Sequence, residues 1–251
     1  MSINDKVVIV TGASSGIGAS IAVESAKLGA KVVMVGRNEE KLSKVSSDCA
    51  SVGKKVQPLV INADVSKDED VRRIIDTTVQ QFGQIDVLIN NAGFNKLVTI
   101  HDEKAMDAFD AVLATNLRGV VHLTHLAIPY LKKTKGNIVN VSSVAAVKPM
   151  GQTFWAYCTS KAALDHFSKC MARELAPDVR VNVVNPGPVA TDFGANSGMP
   201  ADLKLEIKDM VVLERISQSE EVTDIVLFLM SDRARGVTGS CFLTDNGLLL
   251  K

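Results

Sequence analysis

Aromatic residues are few in this 251-residue chain: 4% of positions, with one tryptophan and two tyrosines. Hydrophobic residues still make up 46%, carried by Val, Ile, Leu and Ala. That composition suits small aliphatic side chains packed in continuous runs, as in a parallel sheet buried on both faces. Cysteine is scarce as well. Cys49, Cys158, Cys170 and Cys241 are scattered, with no C-x-x-C pair and no histidine at ligand spacing. This points away from a disulfide scaffold or a metal site and towards reduced thiols. No apolar run approaches the ~20 residues that cross a bilayer. Neither sign of charge is in excess: Lys+Arg and Asp+Glu each total 28, leaving no field to hold nucleic acid or an anionic membrane. The start, Met1–Lys6, runs into a strand without a signal or transit pattern, so a cytoplasmic location is expected.

What is present is alternation. Apolar runs at Val7–Val10, Val32–Val35, Val56–Ile61, Ile85–Ile89, Asn137–Val141, Val179–Val184 and Ser240–Leu243 read as strands. Between them, helical periodicity runs through Ile17–Leu28 (stopping at Gly29), a helix capped by Asn38, Val71–Phe82, 102–113, 116–131, Ala156–Leu175 and Glu220–Met230. The pattern predicts right-handed βαβ crossovers in one α/β, doubly wound Rossmann domain over residues 1–251, with a parallel sheet of about seven strands flanked by helices. The glycine- and proline-rich stretch 186–213 interrupts the alternation after a strand's carboxyl end. It is expected to be a substrate lid.

The turn after the first strand reads Thr11-Gly12-Ala13-Ser14-Ser15-Gly16-Ile17-Gly18. Glycines there let the backbone approach a pyrophosphate, and the following helix turns its free N–H groups towards that charge. Gly12, Ser14, Ser15, Gly16, Ile17 and Gly18 are therefore candidate dinucleotide contacts. The second strand ends in Arg37, where an NAD site usually places a carboxylate; an arginine there suits a 2′-phosphate, so the cofactor expected is NADP(H). A surface pairing with Glu39 or Glu40 is the plainer use of Arg37. Asp64 and Val65 fit an adenine contact, or an ordinary strand-end turn.

Tyr157 and Lys161 stand four residues apart on one helix face. An ammonium near a phenol favours the phenolate, so Tyr157 is expected to have its pKa lowered and to exchange a proton with a carbonyl or alcohol. With Asn90-Asn91-Ala92-Gly93, Asn116, Ser142-Ser143 and Pro186-Gly187-Pro188-Val189-Ala190-Thr191, these motifs resemble the short-chain dehydrogenase/reductase family over nearly the whole chain. The resemblance implies a Ser143, Tyr157, Lys161 triad extended by Asn116, with Ser142 as the other serine candidate. Ser143 would polarise the substrate oxygen, and Asn116 would hold a relay water for Lys161, unless it caps a helix. Cofactor contacts would come from Asn91 and Gly93, from Pro186, Gly187, Val189 and Thr191, and from Tyr157 and Lys161 themselves. Thr244-Asp245-Asn246-Gly247 departs from the family's usual Asp-Gly-Gly and bears on the last turn.

Phe94, Phe154, Trp155, Phe193 and Met199 flank these motifs and could line an apolar substrate pocket or belong to the core. No metal is expected, since the histidines fit no ligand set. The predicted activity is hydride transfer between NADP(H) and a lipophilic ketone or secondary alcohol, a small-molecule substrate. The resemblance also suggests a homotetramer built through the helices near 116–131 and 156–175. A 3-oxoacyl-[acyl-carrier-protein] reductase is the second reading, although Thr134, Pro177 and Asp178 stand where docking cations are expected, with Lys133, Lys135 and Arg180 nearby. A cofactor-binding scaffold without turnover is the third.

Overall fold

In the computed structural model, which describes residues 3–53, 57–198 and 209–251, seven parallel strands form one sheet in the order β3-β2-β1-β4-β5-β6-β7. They are β1 (Val7–Thr11), β2 (Lys31–Gly36), β3 (Leu59–Asn62), β4 (Val87–Asn90), β5 (Asn137–Val141), β6 (Arg180–Pro186) and β7 (Cys241–Thr244). Alternate residues of β1 explain the layers. Val8 and Val10 pack with α1 (Gly16–Lys27), α2 (Glu39–Val52) and α8 (Ser219–Met230). Val7 and Ile9 face α3 (Asp68–Phe82), α5 (Gly119–Thr134) and α6 (Trp155–Glu174). Each aliphatic side chain fully buried this way is worth roughly 1.5–3 kcal/mol relative to exposure. This is the doubly wound sheet that the alternation predicts, with the strand order reversing between β1 and β4, where such sheets bind ligands.

Local signals act as expected at two helix ends. Asn38 caps α2 by accepting from the Lys41 N–H at 2.9 Å, with Glu39 and Glu40 in the first turn. Gly29 closes α1 at φ +86°, a conformation glycine takes without strain.

The helices expected at 102–113 and 116–131 differ from expectation. α4 (Ala105–Leu113) passes through a π-helical turn, Ala114–Arg118, straight into α5, and the backbone stays helical at both joints. One extra residue bulges inside a continuous rod, a device common at functional sites. Asn116 sits in that bulge, so it is not a helix cap.

Asn246 takes φ +53°, a region asparagine tolerates, and its side chain bonds Arg215 O and Ser217 Oγ, both at 2.9 Å. Among the described residues, no helix is long and apolar enough to cross a membrane, and no group of three or more His, Cys, Asp or Glu could hold a metal ion.

Candidate active site

Thr11 joins the two strands at the reversal. Its hydroxyl bonds the Ile89 carbonyl at 3.3 Å and accepts from the Asn91 and Ala92 N–H groups at 2.9 and 3.0 Å. The sequence places Thr11 at the head of the glycine motif but does not show this bracing role, which depends on the partner strand 80 residues away. Beyond it, Gly12 and Gly16 turn the loop at φ +67° and +55°. α1 then begins with no side-chain cap and no acidic residue in its first turn, whereas α2, α3 and α8 all carry acids there. Ser14, Ser15, Gly16 and Ile17 line the cleft. An uncapped helix start with its positive dipole end facing a cleft is chemically fitted to an anion such as a pyrophosphate.

Gly18 has a different job from the contact expected of it. It does not line the cleft; a Cβ there would lie 2.2 Å from Gly12 O and 2.5 Å from Asn91 Nδ2. Gly18 lets α1 pack tightly beneath the loop. Asn91 lines the cleft, but its Nδ2 is committed to Thr11 O at 3.0 Å and Gly12 O at 3.4 Å. It braces the glycine turn from below.

At the far end of the same cleft, Arg37, Lys41, Asp64 and Val65 gather. Arg37 does not pair with Glu39 or Glu40; its guanidinium lies 3.7 Å from Asp64 Oδ2. Asp64 Oδ1 is occupied by the Ser66 N–H and hydroxyl. Lys41, not foreseen from the sequence, reaches across to Asp192 at 2.6 Å. That pair ties the start of α2 to the segment after β6.

The polar centre is built by α6 and the end of β5. Tyr157 and Lys161 are buried, 9% and 3% exposed. Lys161 Nζ lies 5.6 Å from the Tyr157 ring centre and donates to the Val141 carbonyl at 2.8 Å. The Ser143 hydroxyl lies beside the Tyr157 phenol, near enough to favour its ionised form, and both line the cleft. Ser142 turns the other way, its hydroxyl donating to the Lys161 carbonyl at 3.2 Å. Of the two adjacent serines, Ser143 is therefore the one that faces Tyr157, as alternation along an extended chain requires.

Asn116 lies fully buried behind this cluster. Its Oδ1 accepts from Phe94 N at 3.0 Å, and its Nδ2 donates to Phe94 O at 3.0 Å and Ser160 Oγ at 3.1 Å. Both amide hydrogens are thus spent on the framework. A Cβ on Gly93 would approach Asn116 Oδ1 to 3.2 Å and Lys161 Nζ to 3.4 Å, so glycine at 93 keeps these two groups close to the cleft floor.

The electrostatics correct one expectation. Burial pushes the Tyr157 phenol up to about 12, against a smaller lowering by the neighbouring Ser143 hydroxyl. Lys161 does not offset this: its Nζ is turned to the Val141 carbonyl, 5.6 Å from the ring centre, and burial lowers the ammonium itself to about 8. Removing both groups from water favours their neutral forms. In the folded chain the phenol is a proton donor held ready, not a preformed phenolate.

The cleft encloses about 850 Å³. Phe94, Met150, Phe154 and Phe193 line the cleft together with Ser143 and Tyr157. Phe193, at the head of α7 (Phe193–Asn196), tilts onto the Tyr157 ring at 5.3 Å between centres, and Phe154 meets it edge-on at 6.3 Å. Pro186, Gly187, Val189 and Thr191 line the same wall. Val189 pairs with Ser217, and a Cβ on Gly16 would meet Thr191 Cγ2 at 2.9 Å. Met199 and the middle of the expected lid lie outside the described residues.

Trp155, expected in the substrate pocket, is not there. It stacks on Phe109 at 5.4 Å and donates from Nε1 to Val98 O at 3.1 Å. Two residues before Tyr157 on a helix is about 200° away around the axis, which turns the indole to the opposite face.

Residues 12–249 match the family model described as enoyl-(acyl carrier protein) reductase. The chain is 38% identical over 248 residues to L-xylulose reductase of Caenorhabditis elegans, covering 97% of this chain and 95% of that one. It is 36% identical over 254 residues to the 3-oxoacyl-[acyl-carrier-protein] reductase of Thermotoga maritima, covering 100% of both. A solved short-chain dehydrogenase/reductase of unknown function from Caenorhabditis elegans, with cofactor, superposes at a TM-score of 0.91 with 34% identity, covering 100% of this chain and 97% of that one.

Proposed function

The chain belongs to the short-chain dehydrogenase/reductase family, oxidoreductases of carbonyl and alcohol groups, and we propose that it moves hydride between NADP(H) and a lipophilic ketone or secondary alcohol. The observation that carries this reading is the Tyr157 phenol, beside Ser143, one turn from Lys161 and walled by Phe154 and Phe193. When bound, the nicotinamide supplies or accepts the hydride. The chain's own groups manage the proton and the geometry.

Ser143 and Tyr157 hold the carbonyl oxygen between two O–H groups, and Tyr157 gives its proton as negative charge develops there. A phenol held at about 12 is still far more acidic than the alcohol that results, so the transfer runs downhill. Lys161 supplies positive charge beneath the ring. Asn116 fixes the Phe94 backbone, and through it the floor beside Gly93; a relay water for Lys161 would use its remaining acceptor positions.

Arg37 and Lys41, at the adenosine end, favour a 2′-phosphate over a bare hydroxyl; Asp64 and Val65 border the adenine position. Residues 1–251 act as one catalytic domain, with 186–213 as its lid and Phe193 as the part that closes on substrate. Assembly into a homotetramer is expected of it and is checked by sedimentation.

The carrier-protein reading loses one of its cations. Arg180 is half-buried and bonds the carbonyls of Val237 and Leu229 at 3.2 and 2.9 Å, so it is not free to dock an acidic partner. A panel of sterols, quinones, sugar ketones and free and carrier-bound 3-oxoacyl thioesters, each with NADPH and NADH, tests the assignment. Highest kcat/KM for a lipophilic ketone with NADPH supports it. Turnover confined to sugars or to the carrier-bound thioester overturns the substrate class, and cofactor binding without any turnover would leave a scaffold.

A further inference from the structure

The inward stripe of α6 carries more than Tyr157 and Lys161. Ser160, Leu164, Asp165 and Ser168 are buried along it, and Asp165 is a carboxylate only 9% exposed, one turn beyond Lys161. Burying a carboxylate is costly unless it is bonded and balanced by charge. Asp165 is bonded on one side only. Its Oδ2 accepts from Asn185 Nδ2 at 2.8 Å, while Oδ1 has no hydrogen-bond partner among the described residues; the Ser142 hydroxyl lies near enough to favour the carboxylate but gives its proton to the Lys161 carbonyl. An acceptor needed merely to hold Asn185 could be a neutral amide, at far lower desolvation cost.

Two contacts give the carboxylate a use. Asn185 Nδ2 also donates to the Ser143 carbonyl at 3.1 Å, so the chain of bonds runs from Asp165 through Asn185 to the backbone that carries the Ser143 hydroxyl. Ser142, beside Asp165, donates to the Lys161 carbonyl. We infer that Asp165 is a positioning residue for this reaction, aligning Ser143 through Asn185 and holding negative charge one helical turn from Lys161. The inference rests on the reading of Tyr157, Ser143 and Lys161 given above.

The charges around it agree. Burial drives the Asp165 carboxyl up, opposed by the nearby Ser142 hydroxyl, by its bond to Asn185 and by the charges of Lys161 and Lys169. In return, Asp165 is what resists the fall of Lys161. The groups facing Asp165 are Lys161 and Lys169 on its own helix, Ser142 after β5, Asn185 on β6 and Cys241 on β7. Lys161 faces Tyr157, the Val141 carbonyl and, across Gly93, Asn116. Asp165 is the negative charge that acts on Lys161, from one helical turn away along the same buried stripe.

The test is the pH profile of kcat/KM for ketone reduction by the full chain and its Asp165→Asn and Asp165→Glu variants, with melting curves to confirm folding. Asp165→Asn keeps an oxygen for Asn185 but removes the charge. Its alkaline limb should move down by about one pH unit and its kcat at neutral pH should fall about tenfold, with KM for cofactor little changed. Asp165→Glu should keep the limb at its original pH. If the amide fails to fold, Asp165→Ser gives the same readout. A limb that stays put in the uncharged variant, or moves equally in the glutamate variant, overturns the inference. Tyr157→Phe assayed alongside separates the two failures: if it is inactive while Asp165→Asn is unaltered, the inference alone falls; if it is fully active, the underlying reading falls.

Discussion

The Lys161 ammonium stands 5.6 Å from the centre of the Tyr157 ring, but its hydrogen bond goes to the Val141 carbonyl at 2.8 Å. The two groups share a face of α6 without neutralising each other's burial, and each is driven towards its uncharged form.

A pH dependence follows, with a definite sign. In the reductive direction Tyr157 must be protonated, and a phenol at about 12 stays so throughout the assay range. Lys161 must be charged, and it loses its proton near 8. The kcat/KM for reduction should be level below that pH and fall tenfold per unit above it as one group titrates. Lys161→Met should lose most activity along with that limb. A wild-type rate unchanged from pH 7 to 10 would remove Lys161 from the mechanism.

Cofactor choice is testable at one residue. Arg37 lies at the adenosine end, near Asp64. Arg37→Asp places a carboxylate where a 2′-phosphate would sit and should lower the NADPH-to-NADH ratio of kcat/KM by about 100-fold, chiefly through KM. An unchanged ratio would make Arg37 a surface charge.

Gly18 should be needed for folding and not for contact. A methyl group 2.2 Å from Gly12 O forces the loop or α1 to move, so Gly18→Ala should destabilise the protein by about 2 kcal/mol or more, read from the urea midpoint. A midpoint equal to wild type would mean the packing is looser than described.

Trp155 makes the opposite forecast from its neighbour Phe193. Trp155→Leu loses the stack on Phe109 and the bond to Val98 O, and should cost about 2–3 kcal/mol of stability with little effect on KM for a ketone. Phe193→Ala, which opens the wall over Tyr157, should raise that KM about tenfold with little loss of stability. Steady-state kinetics and thermal melts on both variants read the difference; the reverse pattern would return Trp155 to the pocket.

How far residues alone reveal these arrangements varies with the kind of interaction. The sheet was legible because runs such as Val7–Val10 are apolar at every position, which only a strand buried on both faces demands. The glycine turn and the pairing of Tyr157 with Lys161 were legible through local spacing. The π-helical turn at Asn116 was not, because one extra residue hardly alters the periodicity of a long helix. Gly18 and Trp155 were misread as contacts, although each lies two helical positions from a cleft residue and so points elsewhere. The elevation of Tyr157 could not be read, since it comes from burial by Phe154, Phe193 and the sheet, which are distant in sequence or set by packing. Asp165 was within reach: a charge four residues after Lys161 on a buried stripe is a legible signal.

Proton donation by Tyr157 is tested most directly by Tyr157→Phe, which removes one oxygen and leaves the ring between Phe154 and Phe193. NADPH binding, followed by its fluorescence, should be retained, while ketone reduction should fall at least about 100-fold at every pH. A phenylalanine variant that reduces ketones at near the wild-type rate would contradict the account.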